Sequence, residues 1–187
     1  MSIDTDYRVL RKVLADLDAT ADLRGPVGFA AEFGVYSGYS LDIIARFMPV
    51  VGFDSFEGLP EDWRPGFPKG TFAVPPDGPS VQDILLMGPN RMVVPGLFAD
   101  TLPDFPFPKL DLVHIDCDLY SSTVVALDAV ATAVDIGTVI VFDEYEGADF
   151  DDEKRAFTEW LAEYNCSADL LYLEGEEAAF RLEEGSR

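Results

Sequence analysis

Apolar positions recur at spacings of three and four over residues 4–23, at Tyr7, Leu10, Val13, Leu14, Leu17 and Leu23, and Gly25-Pro26 closes the segment. This is the period of an amphipathic helix whose apolar stripe covers a face of the fold. The rhythm then shortens. Residues 27–35 read as a strand, 40–47 as a helix and Val50-Val51-Gly52-Phe53 as a short buried strand, together a βαβ unit. Further strands are predicted at 91–94, 110–115 and 138–142, with helices at 121–134 and 151–164. Residues 170–173 and 178–182 flank Gly175-Glu176 closely enough for an antiparallel hairpin. Strands alternating with helices predict an α/β protein with a largely parallel sheet and a terminal hairpin.

Residues 57–80 break this alternation with Gly58, Pro60, Pro65, Gly66, Pro68 and Gly70 before Pro75-Pro76, and with Trp63, Phe67 and Phe72 among them. A loop this long in a compact domain is functional or disordered. Its aromatics predict a lid or a wall over a substrate, the alternative being a plain surface excursion. With 187 residues the chain is expected to form one domain, residues 1–187, in which residues 1–26 are a helical cap.

Charge narrows the partners. Thirteen Lys+Arg against 35 Asp+Glu give −22, which argues against nucleic acid and against anionic membrane surfaces. A composition 48% apolar and 12% aromatic argues equally against disorder. Cys117 and Cys166 lie far apart and match no zinc or disulfide framework, as expected for a reducing, cytoplasmic setting. The N-terminal residues are polar and acidic where a signal peptide is basic and then apolar. Arg46 and Asp128 interrupt the two longest apolar stretches, so no membrane span is predicted.

The candidate chemistry begins at the first βα turn. Glu32-Phe33-Gly34-Val35-Tyr36-Ser37-Gly38-Tyr39-Ser40 follows a strand and opens a helix, where open α/β sheets bind nucleotide-like ligands. A dinucleotide fingerprint needs a glycine where Tyr36 stands, so that backbone can approach a pyrophosphate. The pattern is E-x-G-x-x-x-G instead, and Glu32 suits a cationic ligand better than a diphosphate. Asp54, twenty residues beyond Gly34, ends the next strand, where an acid accepts hydrogen bonds from ribose hydroxyls of nicotinamide or adenosyl ligands alike. Together these residues resemble the S-adenosyl-L-methionine site of class I methyltransferases. The alternative is a tight turn shaped by Gly34 and Gly38, with Asp54 merely solvated.

Two later strands end in acids. Alternation along Leu112-Val113-His114-Ile115-Asp116-Cys117-Asp118 puts His114, Asp116 and Asp118 on one side and Cys117 on the other, and the next strand ends in Asp143-Glu144. If those strands are neighbours, four carboxylates converge, and a divalent cation relieves their repulsion. Oxygen-only ligands point to Mg²⁺, Mn²⁺ or Ca²⁺ over zinc. A metal and a carboxylate base together activate an alcohol as a nucleophile. Helix capping by Asp118 and an ordinary loop role for Asp143 are the alternatives. His114, the lone histidine, is expected to be a core residue, a neighbour of the site or a base; Asp100, where a third strand should end, is expected near an adenine ring or in a plain turn.

Four motifs in order, Asp54-Ser55-Phe56-Glu57-Gly58-Leu59-Pro60, Asp100-Thr101-Leu102-Pro103, His114-Ile115-Asp116-Cys117-Asp118-Leu119-Tyr120-Ser121-Ser122-Thr123 and Phe142-Asp143-Glu144-Tyr145, resemble the macrocin-type sugar O-methyltransferases over roughly residues 28–160. The resemblance implies a Rossmann-like class I methyltransferase fold, with a seven-stranded, mostly parallel sheet, a C-terminal antiparallel hairpin and helices on both faces. It implies a small-molecule hydroxyl acceptor, a sugar or other polyol of a natural product, with S-adenosyl-L-methionine and Mg²⁺ (or Mn²⁺ or Ca²⁺), and a homodimer as the candidate assembly. By position Asp116, Asp143 and Glu144 are the implied metal ligands and Asp118 the general base. Glu32, Gly34, Tyr36, Ser37, Gly38, Ser40, Asp54, Ser55 and Asp100 are the implied cofactor residues. Two departures stand out: Glu144 occupies a position that is commonly Asp, and roughly 26 residues precede the first strand, fewer than usual. A binding module of this fold without catalysis, a phenolic or catechol acceptor, and nicotinamide-dependent reduction are the competing readings. On the leading one, Glu32, Asp54, Asp116, Asp118, Asp143 and Glu144 form the site, while Asp151-Asp152-Glu153, Glu176-Glu177 and Glu183-Glu184 are solvated surface.

Overall fold

A computed structural model describes residues 7–20, 28–74, 80–86 and 88–184. Strands β1 (Phe29–Phe33), β2 (Val50–Asp54), β3 (Arg91–Pro95), β4 (Leu110–Ile115), β5 (Val139–Phe142), β6 (Ser167–Glu174) and β7 (Glu177–Glu183) form one sheet in the order β3-β2-β1-β4-β5-β7-β6. The first five are parallel, and β7 pairs antiparallel with both β5 and β6. The order reverses between β1 and β4, which opens a crevice above their carboxyl ends. Strands buried on both faces read as continuous apolar runs, as β5 (VIVF) does.

Helices α1 (Arg8–Ala19), α2 (Tyr39–Ile44), α3 (Val81–Leu86), α4 (Phe98–Thr101), α5 (Tyr120–Val130) and α6 (Asp152–Glu163) complete the fold. Strand alternation sorts the core into two layers. Ala30, Leu112, Val139 and Val141 pack with Val9, Leu10, Val13 and Leu14 of α1, whereas Ala31, Phe33, Val113, Ile115 and Phe142 pack with Leu127, Val130, Phe157 and Trp160 of α5 and α6. His114 and Asp116 therefore follow Leu112 toward the α1 side.

Several boundaries differ from expectation. The first helix runs over Arg8–Ala19, shorter than 4–23, and Leu23 and Gly25-Pro26 lie outside the described residues. Helix α3 was not expected; Ser80 and Asp83 exchange hydrogen bonds there, Ser80 N–H to Asp83 Oδ2 at 3.0 Å and Asp83 N–H to Ser80 Oγ at 3.1 Å, a reciprocal cap that starts it. The alternation assumed through Asp118 stops at Ile115, because Leu119 N–H bonds Cys117 O at 2.6 Å and turns the chain around Asp118. No described helix is long and apolar enough to cross a membrane.

Gly34 shows why the first turn is glycine. Its φ is +94°, and a Cβ there would lie 1.7 Å from the Asp116 carbonyl oxygen, where β1 and β4 hand their chains into the crevice. Gly34→Ala is expected to cost more than about 3 kcal/mol, read as a lower urea midpoint at unchanged m. An undiminished midpoint would contradict this close approach.

Candidate active site

A cavity of about 480 Å³ sits at the carboxyl ends of β1, β2, β4 and β5. That volume is within the range of small-molecule sites. Gly34 and Tyr36 line it from the first turn, Asp54 and Ser55 from β2, and Asp116, Cys117 and Asp118 from the turn after β4. Asp143 and Glu144 line it from the end of β5, where Ile115 pairs with Phe142 and so sets Asp116 beside Asp143. Among the described residues no Lys or Arg lines it. Cys117 lines it too, while its side chain packs with Val113 and Ile115 on the α5/α6 side, opposite His114 and Asp116, as alternation expects.

The wall opposite the sheet comes from the long loop. Gly58, Leu59, Pro60 and Phe72 line the cavity, and the loop doubles back through Leu59 N–H to Thr71 O at 2.8 Å and Gly70 N–H to Leu59 O at 2.9 Å. Trp63 Nε1–H bonds Asp152 Oδ2 at 2.8 Å, tying the loop to α6. The Arg64 guanidinium lies over Trp63, Phe67 and Phe150 at 4.1, 4.5 and 4.4 Å from the ring centroids. Residues 75–79 of this segment lie outside the described residues.

Asp54 is more occupied than the sequence suggests. Its Oδ2 accepts from Val35 N–H and Tyr36 N–H at 2.7 Å each, and its Oδ1 from Phe56 N–H at 2.7 Å. A carboxylate has about four acceptor positions, so roughly one is left for a ligand. Asp54 thus braces the glycine turn while facing the cavity. Ser55 Oγ donates to Gly58 O and accepts from Glu57 N–H, shaping the next turn.

Other expected cofactor residues stand back from the cavity. Glu32 is fully buried and its Oε1 pairs with His114 Nδ1 at 2.9 Å, the two residues being register partners on β1 and β4. Ser40 is buried and hydrogen-bonded to the Tyr7 phenol. Ser37 and Gly38 form the turn and the start of α2, Gly38 with φ 81°. Asp100 is exposed on α4, because β3 already ends at Pro95; Gly96, Leu97, Phe98 and Ala99 line the cavity there instead.

The carboxylates repel one another in a poorly hydrated place. Burial carries Asp116 to about 7, with Asp118 and Glu32 adding to the rise and His114 opposing it. Burial and the Asp143 charge carry Asp118 to about 7 against the pull of Arg64. Glu144 is pushed up to about 12 by burial and by Asp116, Asp118, Asp143 and Glu153. Burial disfavours the His114 imidazolium, yet the hydrogen bond and charge of Glu32, with Asp116 and Asp143, raise it to about 8. Negative groups outnumber the two nearby positive ones, His114 and Arg64.

A ligand atom from each of His114, Asp116 and Asp143 comes within 4.8 Å of the others; Glu144 is not in that group. Glu144 lies one residue past the strand-end position that sets Asp143 beside Asp116. Its N–H bonds Glu153 Oε2 at 3.3 Å, and its own Oε2 is buried without a hydrogen-bond partner. Asp118 is no helix cap: α5 begins after Leu119 with no side-chain cap, and Asp118 has φ 62° in a three-residue turn. Strain of this kind collects at functional sites.

Two acids read as surface are structural. Glu153 is fully buried, and its Oε1 accepts from Cys117 N–H at 3.4 Å while Oε2 holds Glu144, so one α6 carboxylate clamps both acidic turns. Glu177 accepts from Arg8 N–H at 3.1 Å and Val9 N–H at 2.9 Å. Neither role has a local signal, since the partners lie far off in sequence.

The model of the Macrocin-O-methyltransferase (TylF) family matches residues 80–181, more than half of the chain. The chain belongs to the macrocin O-methyltransferase family. The family match begins after the glycine turn and Asp54 and takes in the acidic edge, α5, α6 and most of the hairpin. A curated relative from Streptomyces olivaceus, 8-demethyl-8-(2,3-dimethoxy-alpha-L-rhamnosyl)-tetracenomycin-C 4'-O-methyltransferase, is 28% identical over 134 residues, covering 65% of this chain and 50% of that protein. The chain thus spans about half the length of that relative. Among solved structures, the O-methyltransferase NovP superposes with a TM-score of 0.76 at 20% identity, over 95% of this chain and 80% of that one. CalS11, described as a calicheamicin methyltransferase, superposes with a TM-score of 0.70 at 25% identity, over 93% and 80%. Membership in the macrocin O-methyltransferase family agrees with the seven-stranded class I methyltransferase fold seen here.

Proposed function

We propose that the chain is an S-adenosyl-L-methionine-dependent, divalent-metal-assisted O-methyltransferase acting on a hydroxyl of a small acceptor, a sugar or other polyol of a natural product. The observation that carries this is the convergence of Asp116, Asp118, Asp143 and Glu144 on one edge of a cavity lined by no described Lys or Arg. Such a lining complements a sulfonium donor and a cation and repels a diphosphate. Family membership supports the reaction class, and the relative named for a rhamnosyl tetracenomycin supports the acceptor class.

The residues fit both groups. Asp116 and Asp143 would hold the metal, with the unpartnered Glu144 Oε2 as third ligand, because a hard cation prefers oxygen to the equally unpartnered His114 Nε2. When bound, the cation supplies Lewis-acid polarisation of the acceptor hydroxyl. Asp118 receives the hydroxyl proton as the new O–C bond forms and the S–C bond breaks. Asp54, Gly34 and the Leu97–Ala99 stretch, which line the cavity, would surround the nucleoside, and the loop wall with Phe72 would shield the acceptor side from water.

Incubation of a panel of glycosides and phenols with labelled methyl donor, with and without Mg²⁺, tests this reading. Label should enter a glycoside, and excess chelator should abolish it; full turnover in chelator removes Asp116, Asp143 and Glu144 from their roles. In a companion titration Asp54→Ala should weaken S-adenosylhomocysteine binding about 100-fold, since it removes a charged acceptor and frees the turn it braces. Wild-type affinity in that variant would overturn the cofactor assignment.

A further inference from the structure

Tyr7 belongs to neither the glycine turn nor the acidic motifs, yet it lines the cavity and also an adjoining acidic recess bounded by Asp143, Glu144, Glu174 and Glu176. Its backbone is left-handed, φ 60° and ψ 43°, immediately before α1. A bulky residue holds that conformation only when its surroundings impose it. Here the Glu177 carboxylate, beside the β6–β7 turn, accepts from Arg8 N–H and Val9 N–H and pins the start of α1. The pinned residue points inward: the Tyr7 hydroxyl donates to Asp116 Oδ2 at 3.2 Å, and its ring lies edge-on to His114 with centroids 5.9 Å apart. Ser40 bonds the same phenol.

We propose that Tyr7 is a positioning residue for the metal centre: its hydroxyl fixes one carboxylate oxygen of Asp116 and leaves the other for the divalent cation. The inference rests on the metal-assisted reading above. It makes the start of α1 part of the active site, and Glu177 the hairpin's means of holding it there. Hydrogen bonds to ligating carboxylates orient them, and their loss costs about 10–100-fold in metal affinity.

The test is Mn²⁺ binding to the metal-stripped full chain, followed by electron paramagnetic resonance, with S-adenosylhomocysteine affinity and thermal midpoint measured alongside. Tyr7→Phe keeps the ring and should weaken Mn²⁺ by about 10–100-fold while cofactor affinity stays within about threefold of wild type. Equal Mn²⁺ affinity in Tyr7→Phe and wild type overturns the positioning role and leaves the metal reading standing. Absence of Mn²⁺ binding to the wild type overturns both. Loss of cofactor affinity and thermal midpoint in parallel with Mn²⁺ makes Tyr7 a packing residue and also overturns the role. Should Tyr7→Phe fail to fold, Glu177→Ala, which leaves the phenol in place but releases its helix, should weaken Mn²⁺ at least about threefold; wild-type affinity there counts against the proposal.

Discussion

Asp118→Asn is expected to lose methyl transfer by about 10³-fold while S-adenosylhomocysteine binding is retained, because it removes a proton acceptor and little else. The substitution is nearly isosteric, and Asn tolerates the φ of 62° that Asp118 adopts. It also removes one negative charge from a crowded edge, so the folded state should become no less stable. Burial and Asp143 carry the Asp118 carboxyl to about 7, and Arg64, held by three aromatic rings, limits the rise. A general base works in its ionised form. Turnover should therefore rise with pH through about 7 and level off above it, and a bound cation would move that limb to lower pH. The residual activity of Asp118→Asn should lack the limb. The check is kcat against pH with labelled donor for both proteins; more than a tenth of wild-type turnover in the variant would remove Asp118 from the proton transfer.

What the sequence displayed and what it hid divide along physical lines. Strands β1, β2, β4 and β5 were legible because strands buried on both faces are near-continuous apolar runs, and the acids ending β4 and β5 stand out against them. Adjacency of those strands could only be posed as a condition; the Ile115–Phe142 register meets it. Glu153 and Glu177 looked like members of solvated acid runs, since nothing local separates a buried carboxylate from an exposed one when its donors are the backbone of Cys117, Glu144, Arg8 and Val9. Tyr7 was read as one more apolar position of an amphipathic helix. Its hydroxyl acquires a role only when α1 packs on the sheet and brings Tyr7 to Asp116, 109 residues away in sequence. Helix α3, by contrast, carries a local signal, the reciprocal cap of Ser80-x-x-Asp83 at the edge of the Pro/Gly-rich loop. The family resemblance pointed to the acidic edge, but the Glu32–His114 pair and the bracing role of Asp54 follow from backbone register and turn geometry that a motif does not encode.

Freed of divalent cations, the protein should lose stability as pH rises from about 4 to about 8. Asp116 and Asp118 titrate near 7 in the folded chain, and burial with mutual repulsion raises Glu144 and Glu153 further. In the unfolded chain such groups titrate near 4. Between those values the native state binds more protons than the unfolded one, so stability falls with pH. His114 acts in the same direction: raised to about 8 from an ordinary 6.5, it contributes stability that is present below 6.5 and lost as pH passes 8. These are buried groups, so salt should screen the effect only weakly. A loss on the order of 3 kcal/mol corresponds to a drop of about 10 °C in Tm for a chain of this size. Mg²⁺ should reverse it where the carboxylates are ionised, by about 2.7 kcal/mol at a hundredfold excess over its Kd, and far less at pH 5, where protons occupy the same oxygens. Thermal melts in chelator and in Mg²⁺ at pH 5 and pH 8 separate the two contributions. A Tm in chelator that is flat or rises between those pH values would show that the four strand-end acids are not held together in the folded protein. A pH-dependent fall that Mg²⁺ fails to reverse would keep the cluster and remove the cation from it, because only a ligand bound to the native state can restore stability lost to that state's own repulsion.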